Sequence, residues 1–301
     1  MPIKPYLQLV RLPNLFTAGT QSLAGWLLAG GTLHEWRSWL ALVLASMLLY
    51  AAGIALNDVF DLELDRRERP SRPLPSGDVP VGFAWIVGIV GLVAGPALAF
   101  ASGSISSGLV ALALAFAILG YNLGLRRTVL GPEVMGICRG LNLLMGLAHA
   151  PMLGGPAGWL AAGSLTVFVC GITWISRWET ETGRLEGLTA GLILENLGLA
   201  GLIASALSLW PFPGTVSTAR SLPLEGLLVL VLVGLFVNRA NSFAVREPVP
   251  SRVQAAVKAG VLSISWLDVG LVASVIGVAP ALAIVALWAP APILARWLYS
   301  T

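Results

Sequence analysis

From Val79 to Leu125 the chain runs without a single charged side chain. A membrane span takes about 20 residues, so this run is too long for one span and too apolar for a water-exposed loop. "SGSISS", Ser102 to Ser107, interrupts it with the Gly and Ser that punctuate helices. The reading is two consecutive spans joined by a tight turn. "HAPMLGGPAG", His149 to Gly158, divides the next long apolar run in the same way. Only 11% of the 301 residues are charged, against about a quarter in a soluble domain, and the mean hydropathy is +0.84. Backbone in hydrocarbon must satisfy its own hydrogen bonds, which leaves helices or closed barrels. Runs of this length are helical, so the expected class is an all-α integral membrane protein.

Nine transmembrane helices are expected, near 14–33, 38–58, 81–101, 104–123, 131–150, 157–176, 188–209, 223–240 and 266–290. Of the 18 Lys and Arg residues, fourteen fall in the loops on the N-terminal side. Three (Arg37, Arg220 and Arg296) fall on the other side, and Arg139 lies within the fifth span. By the positive-inside rule the N-terminus is cytoplasmic, and nine spans put the C-terminus outside. The same asymmetry accounts for the pI near 9.2, so no nucleic-acid partner is expected. The lipid bilayer is the expected surrounding, here a bacterial cytoplasmic membrane with the active site facing the cytoplasm. The opening "MPIKPYLQLVRLPNLF" shows no small-residue cleavage site, and no cleavable signal peptide is expected. Cys138 and Cys170 have no metal or redox spacing and read as small buried side chains.

The polar chemistry is concentrated in "LNDVFDLELDRRERPSRPLPSG", Leu56 to Gly77, at the cytoplasmic end of the second span. Asp58, Asp61, Asp65, Asp78 and Asp268 are the only aspartates, and four of them lie in or beside this stretch. On a helix at 100° per residue, Asp58, Asp61 and Asp65 sit at about 0°, 300° and 340°. All three carboxylates then share one face, with Asn57 at its edge. Their mutual repulsion asks for a hard cation, and Mg2+ binds through carboxylates together with substrate phosphates. Asp58, Asp61 and Asp65 are the candidate metal ligands. Arg66 and Arg72, just beyond, carry planar donor forks suited to phosphate oxygens.

The stretch resembles the first signature of the UbiA superfamily of intramembrane prenyltransferases: Asn-Asp-x-x-Asp-x-x-x-Asp, then a basic run ending in Arg-Pro-Leu and a small turn. Asn57, Asp58, Asp61, Asp65, Arg72, Pro73, Leu74, Ser76 and Gly77 match it. The layout of nine spans and "GICRGLNLLMG" (Gly136 to Gly146) are similar to these proteins as well. The resemblance implies a bundle around a central cavity, as a single domain over 1–301 built of two four-helix halves (about 1–125 and 126–245) plus a ninth helix. It implies transfer of a prenyl group from a polyprenyl diphosphate to an aromatic or other electron-rich acceptor reached from the membrane, with Mg2+ on the aspartates.

The chain departs from the family at the second acidic motif. "ISRWETETGRLEG", Ile175 to Gly187, contains no Asp. Glu179 and Glu181 lie about 200° apart on a helix and cannot share a face, whereas Glu179 and Glu186 can. Three readings stay open: glutamates hold a second metal, Arg177 and Arg184 replace it, or the site is non-catalytic and binds or transports a diphosphate lipid. The departure resembles the EboC-like branch of the superfamily.

The mechanism expected from the residues and the resemblance together assigns catalysis to Asp58, Asp61, Asp65, Arg72 and Arg139. Substrate contacts fall to Asn57, Arg66, Tyr121, Asn142, Arg177, Glu179 and Lys258. Arg139 is a candidate for the diphosphate or a partner of Glu195 or Asp268, since ionisable groups inside spans face cavities or partners. Tyr121 is placed to stabilise cationic charge through its ring. Residues 250–262 read as an amphipathic surface helix capping the cavity, with Lys258 among its cations.

Overall fold

Apolar periodicity, with glycine at the helix contacts, builds an all-helical bundle. The structure is a computed structural model that describes residues 3–149, 155–180, 182–183, 185–208 and 224–299. The helices are α1 (Lys4–Leu9), α2 (Leu12–Leu28), α3 (Trp36–Phe60), α4 (Leu62–Glu68), α5 (Val81–Ala101), α6 (Ile105–Leu123), α7 (Gly131–Leu147), α8 (Gly155–Ser176), α9 (Leu185–Ser208), α10 (Leu224–Arg246), α11 (Pro250–Val275), α12 (Val278–Trp288) and α13 (Pro290–Tyr299). Among the described residues, eight helical segments have the length and apolarity to cross a membrane. The chain is an integral membrane protein. At 17 residues, α2 and α7 are each about 25 Å long, a little shorter than the hydrocarbon core.

The first expected break holds. α5 ends at Ala101, and Ser104 caps α6 by accepting from the Ser107 N–H at 3.1 Å. The second falls between α7, which ends at Leu147, and α8, which begins at Gly155; residues 150–154 lie outside the described set. Exposed apolar side chains such as Ile89, Val93 and Phe116 line the outer faces of α5 and α6, where lipid rather than water is the solvent.

Helices meet through small residues, as expected where lipid removes the hydrophobic drive for association. A Cβ on Gly25 would lie 2.2 Å from the Leu143 carbonyl oxygen, and one on Gly146 would lie 2.2 Å from that of Ser22. α2 and α7 thus touch backbone to backbone. A Cβ on Gly136 would lie 2.4 Å from the Thr166 carbonyl oxygen of α8. The glycines of "GICRGLNLLMG" therefore seat α7 between two neighbours and turn Arg139 and Asn142 toward the interior.

The end of the chain differs from the expectation. Residues 250–262 are not a separate surface helix; they are the first half of α11, with Val253, Ala256, Ala259 and Gly260 buried. Nor is 266–290 one span: it is divided at Ile276 and Gly277, where Gly277 takes φ +119°. α12 and α13 then pack back along α2. Gln8 Nε2 donates to the Leu298 carbonyl at 2.8 Å, so α13 ends beside α1. The expectation of a C-terminus on the opposite face is corrected, because hydropathy is continuous through the glycine that turns the chain.

Candidate functional site

α1 lies across the end of α3. Leu9 is buried with Ala55, Leu74, Val79 and Ala84, and Tyr6 stacks edge-on against Phe83 at 4.8 Å. The join between α1 and α2 is Arg11, the one non-glycine residue with positive φ among the described residues (φ 47°, ψ 54°). This left-handed conformation costs a side-chain-bearing residue about 1–2 kcal/mol. It holds the Arg11 guanidinium 3.7 Å from Asp58 Oδ1.

The motif's helix does not run through. α3 ends at Phe60, Asp61 takes φ −100°, ψ 4°, and α4 resumes at Leu62. The break divides the aspartates. Asp58 and Asp65, both buried, turn the same way and share Arg72: its Nη1 lies 2.7 Å from Asp65 Oδ2 and 3.6 Å from Asp58 Oδ1. Asp61 turns to the loop after α6. It is bridged by both terminal nitrogens of Arg126, with Arg127 at 3.4 Å. Arg66 is exposed and pairs with Glu63 at 2.6 Å.

Beneath this ionic layer lies a cavity of about 240 Å³ between α2, α3, α6 and α7. Arg11 and Asn57 line its mouth, with Tyr121 and Asn122 from the end of α6. Leu49, Ile54, Leu114, Ile118 and Met135 make its wall apolar. Asn122 donates to the Gly53 carbonyl at 3.3 Å and ties α6 to α3. Deeper, Arg139 and Asn142 of α7 and Ser46 and Tyr50 of α3 complete the lining.

The other expected residues are placed apart. Arg177 donates to the Thr128 carbonyl and stacks on Trp174 at 5.1 Å, bracing the loop before α7. Glu179 is half-buried in the turn after α8, Glu181 and Arg184 lie outside the described residues, and exposed Lys258 does not line the cavity. Arg139 pairs with neither Glu195 nor Asp268. Glu195 accepts from Asn241, and Asp268 accepts from Thr20 Oγ1 at 3.1 Å. Sequence reasoning missed Arg11, Arg126, Gln21 and Tyr50; only Gln21, in the polar run "TAGTQS", carried a local signal.

Residues 20–248 match the profile of the UbiA prenyltransferase family. The chain belongs to that family. It is 33% identical over 155 residues to the digeranylgeranylglyceryl phosphate synthase of Methanoculleus marisnigri, covering 51% of this chain and 54% of that one. It is 33% identical over 128 residues to the same-named protein of Saccharolobus solfataricus, 42% of this chain and 45% of that one. The chain thus spans about half the length of the curated relatives it matches. In fold it is similar to a UbiA homologue from Aeropyrum pernix K1 (TM-score 0.68, 20% identity, 85% of this chain and 96% of that one). It is also similar to a UbiA homologue from Archaeoglobus fulgidus bound to DMAPP and Mg2+ (TM-score 0.54, 14% identity, 86% and 99%).

A divalent cation fits the family's chemistry, and the residues bear on it directly. Among the described residues no three His, Cys, Asp or Glu converge closely enough to hold a metal, because Asp61 faces Arg126. Two do remain together. Asp58 Oδ1 is buried without a hydrogen bond, and Asp65 joins it through Arg72. Mg2+ is held by one or two carboxylates plus substrate phosphates, so this pair suits it as hard oxygen ligands.

Proposed function

We propose that the protein transfers a prenyl group from a polyprenyl diphosphate to an electron-rich acceptor within the membrane, at a site on the cytoplasmic face. The observation that carries this reading is the layer of Asp58, Asp65, Arg11 and Arg72 over an apolar cavity. Carboxylates, guanidinium groups and hydrocarbon meet there in the order a diphosphate lipid presents its parts. Asp58 and Asp65 would hold Mg2+, which when bound neutralises diphosphate oxygens and eases loss of the leaving group.

The chain's own groups do the rest. Arg72 and Arg11 already neutralise the carboxylates and can turn their donors to phosphate oxygens, as preorganised donors do where charge develops. Arg126 stands beside them on Asp61. Asn57 offers a neutral amide at the mouth. The prenyl C1–O bond breaks and its electron pair leaves with diphosphate. The acceptor's electron pair forms the new bond to C1, and the acceptor releases a proton. Tyr121, in the wall beside the mouth, presents its ring to the allylic cation. The isoprenoid tail lies along the apolar helix faces.

A second reading, diphosphate-lipid binding without turnover, is favoured by one observation: Arg177, in the place of the second acidic motif, is spent on Thr128 and Trp174. The two readings separate in one experiment. Detergent-purified protein is mixed with Mg2+, prenyl diphosphates of graded length and a membrane-lipid extract, and pyrophosphate release is followed beside binding. Metal-dependent release lost in Asp58→Asn supports transfer. Tight metal-dependent binding without release, with acceptor supplied, supports the carrier.

A further inference from the structure

The outer face of α10 carries charge where hydrocarbon is expected. Leu228, Leu232, Leu235, Arg239, Phe243 and Arg246 are all exposed. At 100° per residue they fall within about 80° of one another, so they form a single stripe down the outside of the helix. Its first three members are leucines and its last three are two arginines and a ring. Arg246 closes the last turn of α10, where a cation suits the helix dipole. Arg239 has no such reason. It stands seven residues, about 10 Å, before the helix end, on the same face as the leucines that meet lipid. Among the described residues neither arginine pairs with a carboxylate.

A further guanidinium comes from the next helix. Arg252, in the first turn of α11, lies 5.4 Å from the centre of the Phe243 ring, and Arg239 lies 6.0 Å from the same centre. Aromatic rings attract such cations within about 6 Å. Arg252 also meets Glu247 through Nε at 3.4 Å, with both side chains largely in the open. A guanidinium carries five donors. The terminal nitrogens of Arg252 and all the donors of Arg239 have no protein acceptor among the described residues. Long basic side chains lay their stems on apolar surface and hold the charge at the interface.

This end of α10 belongs to the face that carries the ionic layer. The Gly183 N–H donates to the Pro248 carbonyl at 3.2 Å, which ties the turn between α10 and α11 to the loop after α8. Arg177, at the end of α8, in turn holds the loop before α7 that carries Arg126. With the basic face inside, the cluster lies against the cytoplasmic leaflet, whose anionic lipids attract cations near the surface.

We propose that Arg239, Phe243 and Arg252 form a binding site for an anionic phospholipid of that leaflet, with its phosphate between the two guanidinium groups and an acyl chain along Leu235, Leu232 and Leu228. A guanidinium fork matches phosphate oxygens. The stripe supplies apolar surface directly below the charge, in the order in which a lipid presents head and tail. A soluble anion would use the arginines alone. The site lies outside the cavity and does not depend on the prenyl-transfer reading.

Full-length protein in detergent with Mg2+ is given phosphatidylglycerol, phosphatidylcholine or inorganic phosphate, and bound lipid is counted by native mass spectrometry. Phosphatidylglycerol should bind about tenfold or more tightly than phosphatidylcholine, and an equal concentration of inorganic phosphate should not displace it. Arg239→Gln and Arg252→Gln should each weaken its binding about fivefold, and the two together about tenfold or more. Arg67→Gln with Arg69→Gln removes the same charge from exposed positions on the same face and should change binding by less than about threefold. If the double variant at 239 and 252 does not fold, the two single variants carry the comparison. Equal binding of the two lipids, an equal loss in the control pair, unchanged binding in the Arg239 and Arg252 variants, or displacement by inorganic phosphate overturns the proposal. So does displacement by excess geranyl diphosphate, which would put the lipid in the cavity. Absence of pyrophosphate release alone sinks the prenyl-transfer reading and leaves this site standing.

Discussion

Arg72 Nη1 donates to Asp65 Oδ2 at 2.7 Å, across the bend that the motif's Arg-Pro-Leu ending makes after α4. The same nitrogen lies 3.6 Å from Asp58. One guanidinium thus keeps two buried carboxylates from repelling each other. Arg72→Ala should raise the KM for prenyl diphosphate about tenfold or more, since hydrogen bonds to charged groups contribute about 1.5–3 kcal/mol. Steady-state pyrophosphate release across a substrate series measures it. A fall in kcat at unchanged KM would mean that Arg72 acts only on the leaving group.

Arg11 holds a strained backbone and faces Asp58. Arg11→Gly should relieve about 1–2 kcal/mol of left-handed strain, set against the loss of one guanidinium from the site. Thermal unfolding in detergent should therefore stay level or rise while prenyl diphosphate affinity falls. If both fall together, the conformation is a structural need of the α1–α2 join and not an aiming device.

The Asp61–Arg126 bridge ties the end of α3 to the loop before α7. A double-mutant cycle with Asp61→Asn and Arg126→Gln should give a coupling of about 0.5–3 kcal/mol in stability, the range for contacting charged residues. In activity, Asp61→Asn should cost less than Asp58→Asn, because Asp61 points away from the buried pair. Equal loss in the two would place Asp61 back with the metal ligands during turnover.

The first acidic motif was legible because charge is scarce in this chain: five aspartates, four in one stretch, stand out against apolar spans. The family followed from the same residues. What the motif touches was not legible. Arg11 and Arg126 reach it from loops before α2 and after α6, and no local pattern marks an arginine as the partner of a residue 47 or 65 positions away. The break at Asp61 was hidden because hydrogen bonding continues across it, Asp61 N–H to Asn57 and Asp65 N–H to Asp61, so a continuous helix and a kinked one read alike. Gln21 is a neutral amide in a greasy span, and charge-based reasoning passed over it. At the chain's end, hydropathy runs unbroken through Gly277; the glycine and the nearby Pro280 were the available signal.

The α2–α7 contact sets the width of the cavity, since one helix carries Gln21 and the other Arg139 and Asn142. Gly146→Ala puts a methyl 2.2 Å from a backbone oxygen that cannot move aside cheaply. It should destabilise by about 1–3 kcal/mol, as overpacking does, and weaken ligand binding by spreading the two helices. Gly163 on α8 is the control, because a Cβ there meets nothing within 4 Å. Gly163→Ala should be neutral or stabilise by up to about 1 kcal/mol through helix propensity. Thermal unfolding of the two variants in one detergent makes the comparison.

The return of α12 and α13 along α2 fixes which side of the membrane the last helix ends on. Gln8 and Leu298 share a hydrogen bond, and Gln8 belongs to the helix that packs on the motif loop. Arg296, near the end of α13, therefore joins the face that already carries Arg11, Arg72 and Arg126, which deepens the charge asymmetry between the two faces. That asymmetry is what orients such proteins, with the basic face inside. A fluorescent reporter fused after Thr301 should light in the cytoplasm, and a phosphatase that works only outside should be inactive there. Gln8→Ala should leave that sidedness unchanged, because about 1 kcal/mol of hydrogen bonding does not decide the placement of two apolar helices. An active phosphatase fusion would mean that α12 and α13 do not recross the membrane, and that the contact between Gln8 and Leu298 does not form in the bilayer.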